Sequence, residues 1–190
     1  MNVGIMCSSK ETASLNSRLN NATVASVIAM KDYSFIMGAA TSGSMGNIKE
    51  ILKDSNRKLT IVGNEFEVQR VDADRKIIAN STFERTKKIY ENSDVIIFLD
   101  GGIGTLAEIT SYLSNKLETE DDKILILYNE TGCFDYLLKD LERKNRNGLI
   151  DNFYDRYFDV NNNLEELANS LEKAENRFIK RGEIKNERKK

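Results

Sequence analysis

Three glycines within four residues form the feature of the sequence with the clearest chemical use. The run Asp100-Gly101-Gly102-Ile103-Gly104-Thr105 follows an apolar segment and precedes a segment with helical spacing. Glycines let the backbone turn sharply and approach a ligand closely. The first N–H groups of a helix, at the positive end of its dipole, can then bind phosphate. We predict a phosphate-binding loop made of Gly101, Gly102, Ile103, Gly104 and Thr105; an ordinary tight turn is the alternative.

Two charged residues near this loop are candidates for catalysis. Glu108 follows Thr105 by three residues, so Thr105 is also predicted to be the N-cap of a capping box. Arg85 lies in a predicted helix, Ser81–Asn92, which has its own capping box and whose first turns would face the same crevice. A guanidinium there could bind phosphate or stabilise a departing anion. Because Lys87 and Lys88 follow it, Arg85 also fits an ordinary surface position.

Two other loops of small and polar residues follow predicted strands. One is Cys7-Ser8-Ser9, and the other spans Gly38–Gly46. Ligands of open parallel sheets bind at the carboxyl ends of the strands, where the strand order reverses. The predicted nucleotide-binding set therefore also includes Ser8, Ser9, Gly38, Gly43 and Met45. Neither a P-loop nor a GxGxxG fingerprint is present, so the sequence gives little support to ATP or NAD as the ligand.

These loops require a scaffold of alternating strands and helices. Short apolar runs predict strands at Asn2–Cys7, Ser34–Met37, Leu59–Val62, Val95–Leu99 and Ile124–Tyr128, with a possible sixth at Tyr157–Val160. Runs that are apolar throughout are typical of parallel strands covered on both faces. The alternation predicts the α/β class, with a single doubly wound parallel sheet of Rossmann type.

Apolar residues at helical spacing connect these strands. One such set is Met45, Ile48, Ile51 and Leu52, and others are Leu106, Ile109, Leu113 and Leu117, then Leu137, Leu138 and Leu141. A closing helix is predicted from Leu164 to Phe178, capped by the asparagines at 161–163. The stretch Asn64–Asn80 has no clear period and is either a short strand at Lys76–Ala79 or a loop closing over the ligand. We predict a nucleotide-binding domain over residues 1–178 and a polar tail over 179–190.

Composition narrows the possible chemistry. The chain has no histidine and only two cysteines, Cys7 and Cys133, which form no CxxC pair. We therefore predict no metal site, and proton transfer must use carboxylates, Lys, Tyr, Cys or water. The net charge of −2, with acids and bases intermixed, argues against nucleic acid or a membrane as a partner. With neither a signal peptide pattern nor an apolar run of about 18 residues, we expect a cytoplasmic protein.

Taken together, these residues resemble the Lonely Guy (LOG) family of phosphoribohydrolases. Positions 101–108 match that family's P-G-G-x-G-T-x-x-E motif apart from its proline, which is Asp100 here. The family's M-H-x-R-K motif falls at positions 82–86, where only its arginine, Arg85, is kept and its lysine is Thr86. The second loop resembles Y-G-G-G-S-x-G-L-M-G, and Cys7-Ser8-Ser9 resembles C-G-S. The resemblance covers Asn2 to about Leu171.

The resemblance implies hydrolysis of the N-glycosidic bond in an AMP-like nucleoside 5′-monophosphate, which releases the free base and ribose 5-phosphate. It assigns the 5′-phosphate to the Gly101–Thr105 loop and catalysis to Glu108 and Arg85. It further implies that no cofactor is needed and that the protein is a homodimer. The helix after Glu108 lacks the acidic and tryptophan positions of cytokinin-activating members, so the preferred base is not defined.

Two other functions fit the same residues. The first is a LOG-like protein that binds or senses a nucleotide without turnover, which the loss of the motif lysine would favour. The second is a nucleoside deoxyribosyltransferase, in which Glu108 would be the nucleophile and a second base would replace water.

Overall fold

Seven parallel strands form one sheet in the computed structural model, which describes residues 1–119, 123–150 and 158–187. The strands are β1 (Asn2–Met6), β2 (Ser34–Gly38), β3 (Leu59–Gly63), β4 (Arg75–Ile78), β5 (Val95–Phe98), β6 (Ile124–Tyr128) and β7 (Asp159–Asn161). The helices are α1 (Leu15–Ala29), α2 (Gly43–Asp54), α3 (Glu65–Gln69), α4 (Thr82–Glu91), α5 (Ile103–Thr119), α6 (Asp135–Arg146) and α7 (Leu164–Glu187).

The strand order reverses between β1 and β5. From β1 the chain builds one half of the sheet through β2, β3 and β4, and from β5 it builds the other half through β6 and β7. The order across the sheet is β4-β3-β2-β1-β5-β6-β7. Val3 of β1 is in register with Phe35 on one side and Val95 on the other. This arrangement confirms the predicted doubly wound parallel sheet, and it places the loops after β1, β2 and β5 at one carboxyl edge.

Helices cover both faces of the sheet, which is why β5 and β6 have no charged or strongly polar residue at any position. On one face, Ile5 and Ile97 pack in a core that includes residues of α1, α2 and α7. On the other face, Ile96 and Phe98 pack in a core that includes residues of α4, α5 and α6. Adjacent residues of β5 thus point into different cores, as the alternation of side chains along a strand requires.

Several elements differ from the sequence-based prediction. Helix α1 is absent from it, because the buried face of α1 combines small alanines with the polar Asn21, a weak apolar pattern. The unpatterned stretch Asn64–Asn80 contains α3 and the edge strand β4, so the strand alternative was correct there. The possible sixth strand is present as β7, which begins two residues later and ends one residue later than predicted; Tyr157 lies outside the described residues.

The closing helix begins where the asparagines predict it. The side-chain oxygen of Asn163 accepts a hydrogen bond from the Glu166 N–H at 2.9 Å, so Asn163 caps α7, whereas Asn161 belongs to β7. Helix α7 continues to Glu187, past residue 178, where the sequence had placed the end of the domain.

One buried asparagine on α1 connects the loops that follow β2 and β5. Asn21 is fully buried, and its amide NH₂ donates to the Asp100 carbonyl and to the Ser44 hydroxyl, each at 3.0 Å. Its side-chain oxygen accepts from the Asp100 N–H at 3.1 Å. Asn21 therefore binds both the N–H and the carbonyl of Asp100, the residue that starts the glycine loop. Through Ser44 it also binds the first turn of α2.

Replacing Asn21 with alanine should lower the free energy of unfolding by about 2–3 kcal/mol, because the buried Asp100 N–H loses its acceptor and the buried Ser44 hydroxyl loses its donor, while the Asp100 carbonyl keeps only the Ser8 N–H. Urea unfolding of the variant measures this. Ser26→Ala is the matched control on α1, since the exposed hydroxyl of Ser26 bonds, among the described residues, only to the Ala22 carbonyl one turn earlier. Equal stability of the two variants would show that the contacts of Asn21 are not important for the fold.

Candidate functional site

The loops after β1, β2 and β5 surround a cavity of about 170 Å³ at the carboxyl edge of the sheet. Of the twelve residues predicted as site residues, ten line this cavity. They are Ser8, Ser9, Gly38, Met45, Arg85, Gly102, Ile103, Gly104, Thr105 and Glu108. Residues from six different elements or loops therefore meet at one place, as the topology requires.

The other two predicted residues, Gly43 and Gly101, do not line the cavity but shape its walls. Gly43 has a φ of +59°, and a Cβ there would lie 2.7 Å from the Ser9 carbonyl carbon. A Cβ on Gly101 would collide with the side chain of Thr105. Both positions require glycine because backbone or side-chain atoms pack directly against the Cα.

Gly102 and Gly104 have the opposite surroundings. A Cβ at either position would meet no protein atom within 4 Å, although both residues line the cavity. Their missing side chains therefore keep the cavity open and leave room for a ligand beside the backbone.

Helix α5 begins inside this loop, earlier than the sequence predicts. Its first residue is Ile103, and Leu106 N–H donates to the Gly102 carbonyl at 3.1 Å. The prediction that Thr105 is the N-cap was therefore wrong: Thr105 is buried in the first helical turn, against Gly101. The N–H groups of the first turn have no acceptor within the helix, which leaves them available to an anion in the cavity.

Glu108 and Arg85 project into the same cavity from α5 and α4. The predicted N-cap of α4 is confirmed, since Ser81 accepts from the Glu84 N–H at 3.1 Å. The Tyr112 hydroxyl, one turn after Glu108, donates to the Thr86 carbonyl at 2.9 Å. This contact fixes the two helices relative to each other, next to the two charged side chains.

Burial raises the pKa of Glu108 to about 7, and the positive charge of Arg85 opposes part of that rise. A carboxyl group with this pKa exists in both protonation states near neutral pH, which suits proton transfer or the stabilisation of a cation. Glu108 is thus partly sheltered from water and paired electrostatically with one guanidinium.

Four further residues line the cavity that the sequence analysis did not assign: Met6, Cys7, Lys10 and Ala40. Burial raises the pKa of the Cys7 thiol to about 12, so this cysteine stays protonated. Lys10 adds a positive charge to the loop after β1. Its position directly after the Ser8-Ser9 pair is a signal that the sequence contains, since phosphate loops often carry a cation.

Lys49 of α2 is the second feature that the sequence reasoning missed. It is only 6% exposed, and its ammonium group donates a hydrogen bond to the carbonyl of Ala40, a cavity residue. Burial lowers the pKa of Lys49 to about 8. Its spacing of four residues from Met45 places it on the cavity side of α2, which is the signal that could have found it.

No cluster of three or more His, Cys, Asp or Glu side chains with the geometry of a metal site occurs in the described part of the chain. Within the same residues, no helix combines the length and apolar character needed to span a membrane.

Comparison with known proteins places this chain in a family. Residues 36–171 match the family model described as "possible lysine decarboxylase". A curated cytokinin riboside 5′-monophosphate phosphoribohydrolase of Mycobacterium tuberculosis is 28% identical over 137 residues, which cover 70% of this chain and 71% of that protein. A probable enzyme of the same name from Oryza sativa subsp. japonica is 26% identical over 60% of this chain and 52% of its own length.

The chain belongs to this family, the LOG family. Solved structures with the same fold include the Moco carrier protein of Chlamydomonas reinhardtii, with a TM-score of 0.65 and 15% identity over 93% of this chain and 98% of that one. The molybdenum cofactor binding protein of Rippkaea orientalis has a TM-score of 0.65 and 19% identity, over 90% of this chain and 95% of its own.

The raised pKa of Glu108 predicts how stability depends on pH. Between the ordinary carboxyl pKa of 4.5 and about 7, the folded protein binds more protons than the unfolded chain. The free energy of unfolding should therefore fall as pH rises through this window, by up to about 3 kcal/mol for this group. Glu108→Gln should remove that part of the fall, as urea unfolding at several pH values would show. If the pH dependence of the free energy of unfolding were the same in the variant as in the wild type, the pKa of Glu108 would not be raised in the folded protein.

Adding a side chain at Gly104, which has open space beside it, should block the cavity without affecting the fold. Gly104→Val would place two methyl groups in the space beside the first turn of α5, so we expect AMP affinity to fall at least about tenfold while the melting temperature stays within a few degrees. Isothermal titration calorimetry measures the affinity. Ala107→Val, an exposed position on the same helix that does not line the cavity, is the control. Unchanged AMP binding in Gly104→Val would contradict the phosphate site.

Proposed function

We propose that this protein hydrolyses the N-glycosidic bond of a nucleoside 5′-monophosphate, which releases the free base and ribose 5-phosphate. The observation that carries this proposal is the meeting of Glu108, Arg85 and the open glycine loop in one cavity. The names of the curated relatives, which are phosphoribohydrolases, support the same reaction class.

The 5′-phosphate would bind at the start of α5. The cavity is lined by Ser8 and Ser9, by Gly102 and Gly104 with the open space beside them, and by the first residues of α5, whose N–H groups have no acceptor within the helix. Lys10 contributes a positive charge at the same end. A phosphate dianion is stabilised by such N–H groups and by the helix dipole. Binding the phosphate fixes the ribose near Glu108, about one helical turn further along α5.

The carbon–nitrogen bond would break as positive charge develops on the ribose. The Glu108 carboxylate stabilises that charge and orients a water molecule, whose oxygen forms the new bond to the anomeric carbon. The bonding electrons leave with the base, which takes up a proton, while the water loses one. Arg85 stabilises the negative charge that develops on the departing base. The pKa of Glu108 near 7 allows it to accept the proton of the water at neutral pH.

Binding without turnover is a second candidate function. Two solved structures with this fold are named as carriers or binders of the molybdenum cofactor, and the lysine of the family's Arg-Lys motif is Thr86 here, which is buried against α5. Under this hypothesis the cavity would hold a phosphorylated ligand without breaking it. Tight AMP binding with no release of ribose 5-phosphate would distinguish it from the hydrolase.

We also propose that the protein is a homodimer. Phe83 on α4 and Ile103 on α5 are large apolar side chains that are 86% and 85% exposed. A subunit interface would remove these two apolar surfaces from water. Light scattering coupled to gel filtration, on the wild type and on Phe83→Ser, tests whether α4 and α5 form it.

Glu108→Gln should leave AMP binding within about threefold of wild type and reduce the release of ribose 5-phosphate at least about a hundredfold, because the amide can neither stabilise the ribosyl cation nor accept a proton. A coupled assay for ribose 5-phosphate, run with AMP, N6-isopentenyl-AMP, GMP and CMP, measures this. Glu118→Gln, at an exposed position of the same helix, is the control. Near-normal turnover by Glu108→Gln would remove this residue from the mechanism.

A further inference from the structure

Lys49 is a buried cation that has no anionic partner in the described part of the chain. It is 6% exposed, and its ammonium group donates a hydrogen bond to the Ala40 carbonyl. Within the described residues it forms no salt bridge. An ammonium group has three N–H donors, and removing its charge from water is costly unless an opposite charge lies nearby. The fold by itself therefore leaves the charge of Lys49 uncompensated.

This charge lies directly behind the wall of the cavity. Ala40, whose carbonyl Lys49 binds, lines the cavity, and so does Cys7, whereas Lys49 does not. Burial is the main reason why the pKa of the Cys7 thiol is raised, but the charge of Lys49 lowers that pKa and the charge of Glu108 raises it. The thiol is therefore close to both charged groups. The ammonium group of Lys49 thus lies behind Cys7 and Ala40, close to the cavity but outside it.

The elements packed around Lys49 supply no carboxylate to it in the described structure. Helix α3 shares a core with α2, but the carboxylate of its Glu67 accepts from the Asn64 N–H at 3.0 Å. Helix α1 has one charged residue, Arg18, which is also a cation, and β3 has none. Glu50, the neighbour of Lys49 on α2, is exposed to solvent. An anion that neutralises Lys49 would have to come from the cavity.

The lining of the cavity is itself richer in positive than in negative charge. Its described residues include Lys10 and Arg85 but a single carboxylate, that of Glu108. We propose that Lys49 is the buried positive charge that attracts the phosphate of the ligand through the cavity wall, so that phosphate binding and protonation of Lys49 favour each other. This inference rests on the proposed function, in which the phosphate lies in this cavity. Charges separated by protein rather than by water are screened little, so an ammonium group can act on an anion that it does not touch.

The proposal predicts that protons are taken up when the ligand binds. Because burial lowers the pKa of Lys49 to about 8, the free protein loses this proton as the pH rises through about 8. A bound phosphate favours the charged form of Lys49 and therefore raises its pKa. Above pH 8 the complex then holds protons that the free protein has lost, so AMP affinity falls as the pH rises. The phosphate does not contribute to this change, since its second pKa is about 6.

Isothermal titration calorimetry with AMP, in buffers of different ionisation enthalpy, measures the protons taken up. The Glu108→Gln background keeps AMP intact and removes the titration of Glu108, whose pKa is about 7. If the bound phosphate raises the pKa of Lys49 by about one unit, we expect uptake of about 0.5 proton per AMP at about pH 8.5. AMP affinity should fall about sevenfold between about pH 7 and about pH 9.5.

Two substitutions of Lys49 separate its charge from its part in the fold. In Lys49→Met we expect AMP to bind about tenfold more weakly at pH 7, without proton uptake. Lys49→Arg keeps a cation at every pH, so AMP should bind equally tightly at about pH 7 and about pH 9.5. The matched control is Lys53→Met, one turn further along α2, where the lysine is exposed and paired with Asp72. This variant should retain both the affinity and the proton uptake.

The other outcomes are distinct. If AMP binds without proton uptake while Lys49 is intact, the proposal is wrong and the phosphate site stands; this measurement does not depend on whether any Lys49 variant folds. Proton uptake that persists in Lys49→Met would equally overturn the proposal, because another group would then be its source. If AMP does not bind at all, the proposed function itself fails, and the role of Lys49 with it.

Discussion

The hydrogen bonds of Asn21 are the constraint on which the geometry of the site depends. One buried amide holds the N–H and the carbonyl of Asp100 and the hydroxyl of Ser44, so that the starts of the glycine loop and of α2 are fixed to α1. The Asp100 carboxylate in turn accepts from the Thr131 hydroxyl at 2.7 Å, which ties the same residue to the loop after β6. A loop rich in glycine would otherwise have many conformations, and a defined phosphate site needs only one.

The glycines of the site have two different physical roles. Gly43 and Gly101 are packed against neighbouring atoms, and their small size allows the walls of the cavity to form. Gly102 and Gly104 face open space, so their small size leaves room beside the backbone. The charged residues show a similar division, because Lys49 is buried under the loop after β2 and supports it from below, whereas Arg85, Lys10 and Glu108 face the cavity.

The sequence predicts the strands and the site better than it predicts the connections between them. Strands such as Ile124–Tyr128 are apolar throughout, and the carboxyl ends of parallel strands must meet at one edge, so most of the cavity could be named before the fold was known. Helix α1 could not, because its buried face depends on Asn21, whose partners are 23 and 79 residues away. The start of α5 was misplaced because Thr105 and Glu108 have the spacing of a capping box, whereas in the fold Thr105 packs on Gly101 and Glu108 faces the cavity. Lys49 was missed because its role depends on the hydrogen bond that its buried ammonium group donates to the Ala40 carbonyl, which the sequence pattern alone does not show.

In the proposed function, backbone N–H groups at the start of α5 hold the 5′-phosphate of a nucleotide. An NMR titration of ¹⁵N-labelled protein with AMP tests this, with adenosine as the ligand that lacks the phosphate. If the phosphate binds at this helix, AMP will shift the amide resonances of Gly102, Ile103 and Gly104 strongly downfield, and adenosine will leave them nearly unchanged. If AMP binds but shifts these three amides no more than adenosine does, the phosphate does not lie at this helix and the proposed phosphate site is wrong.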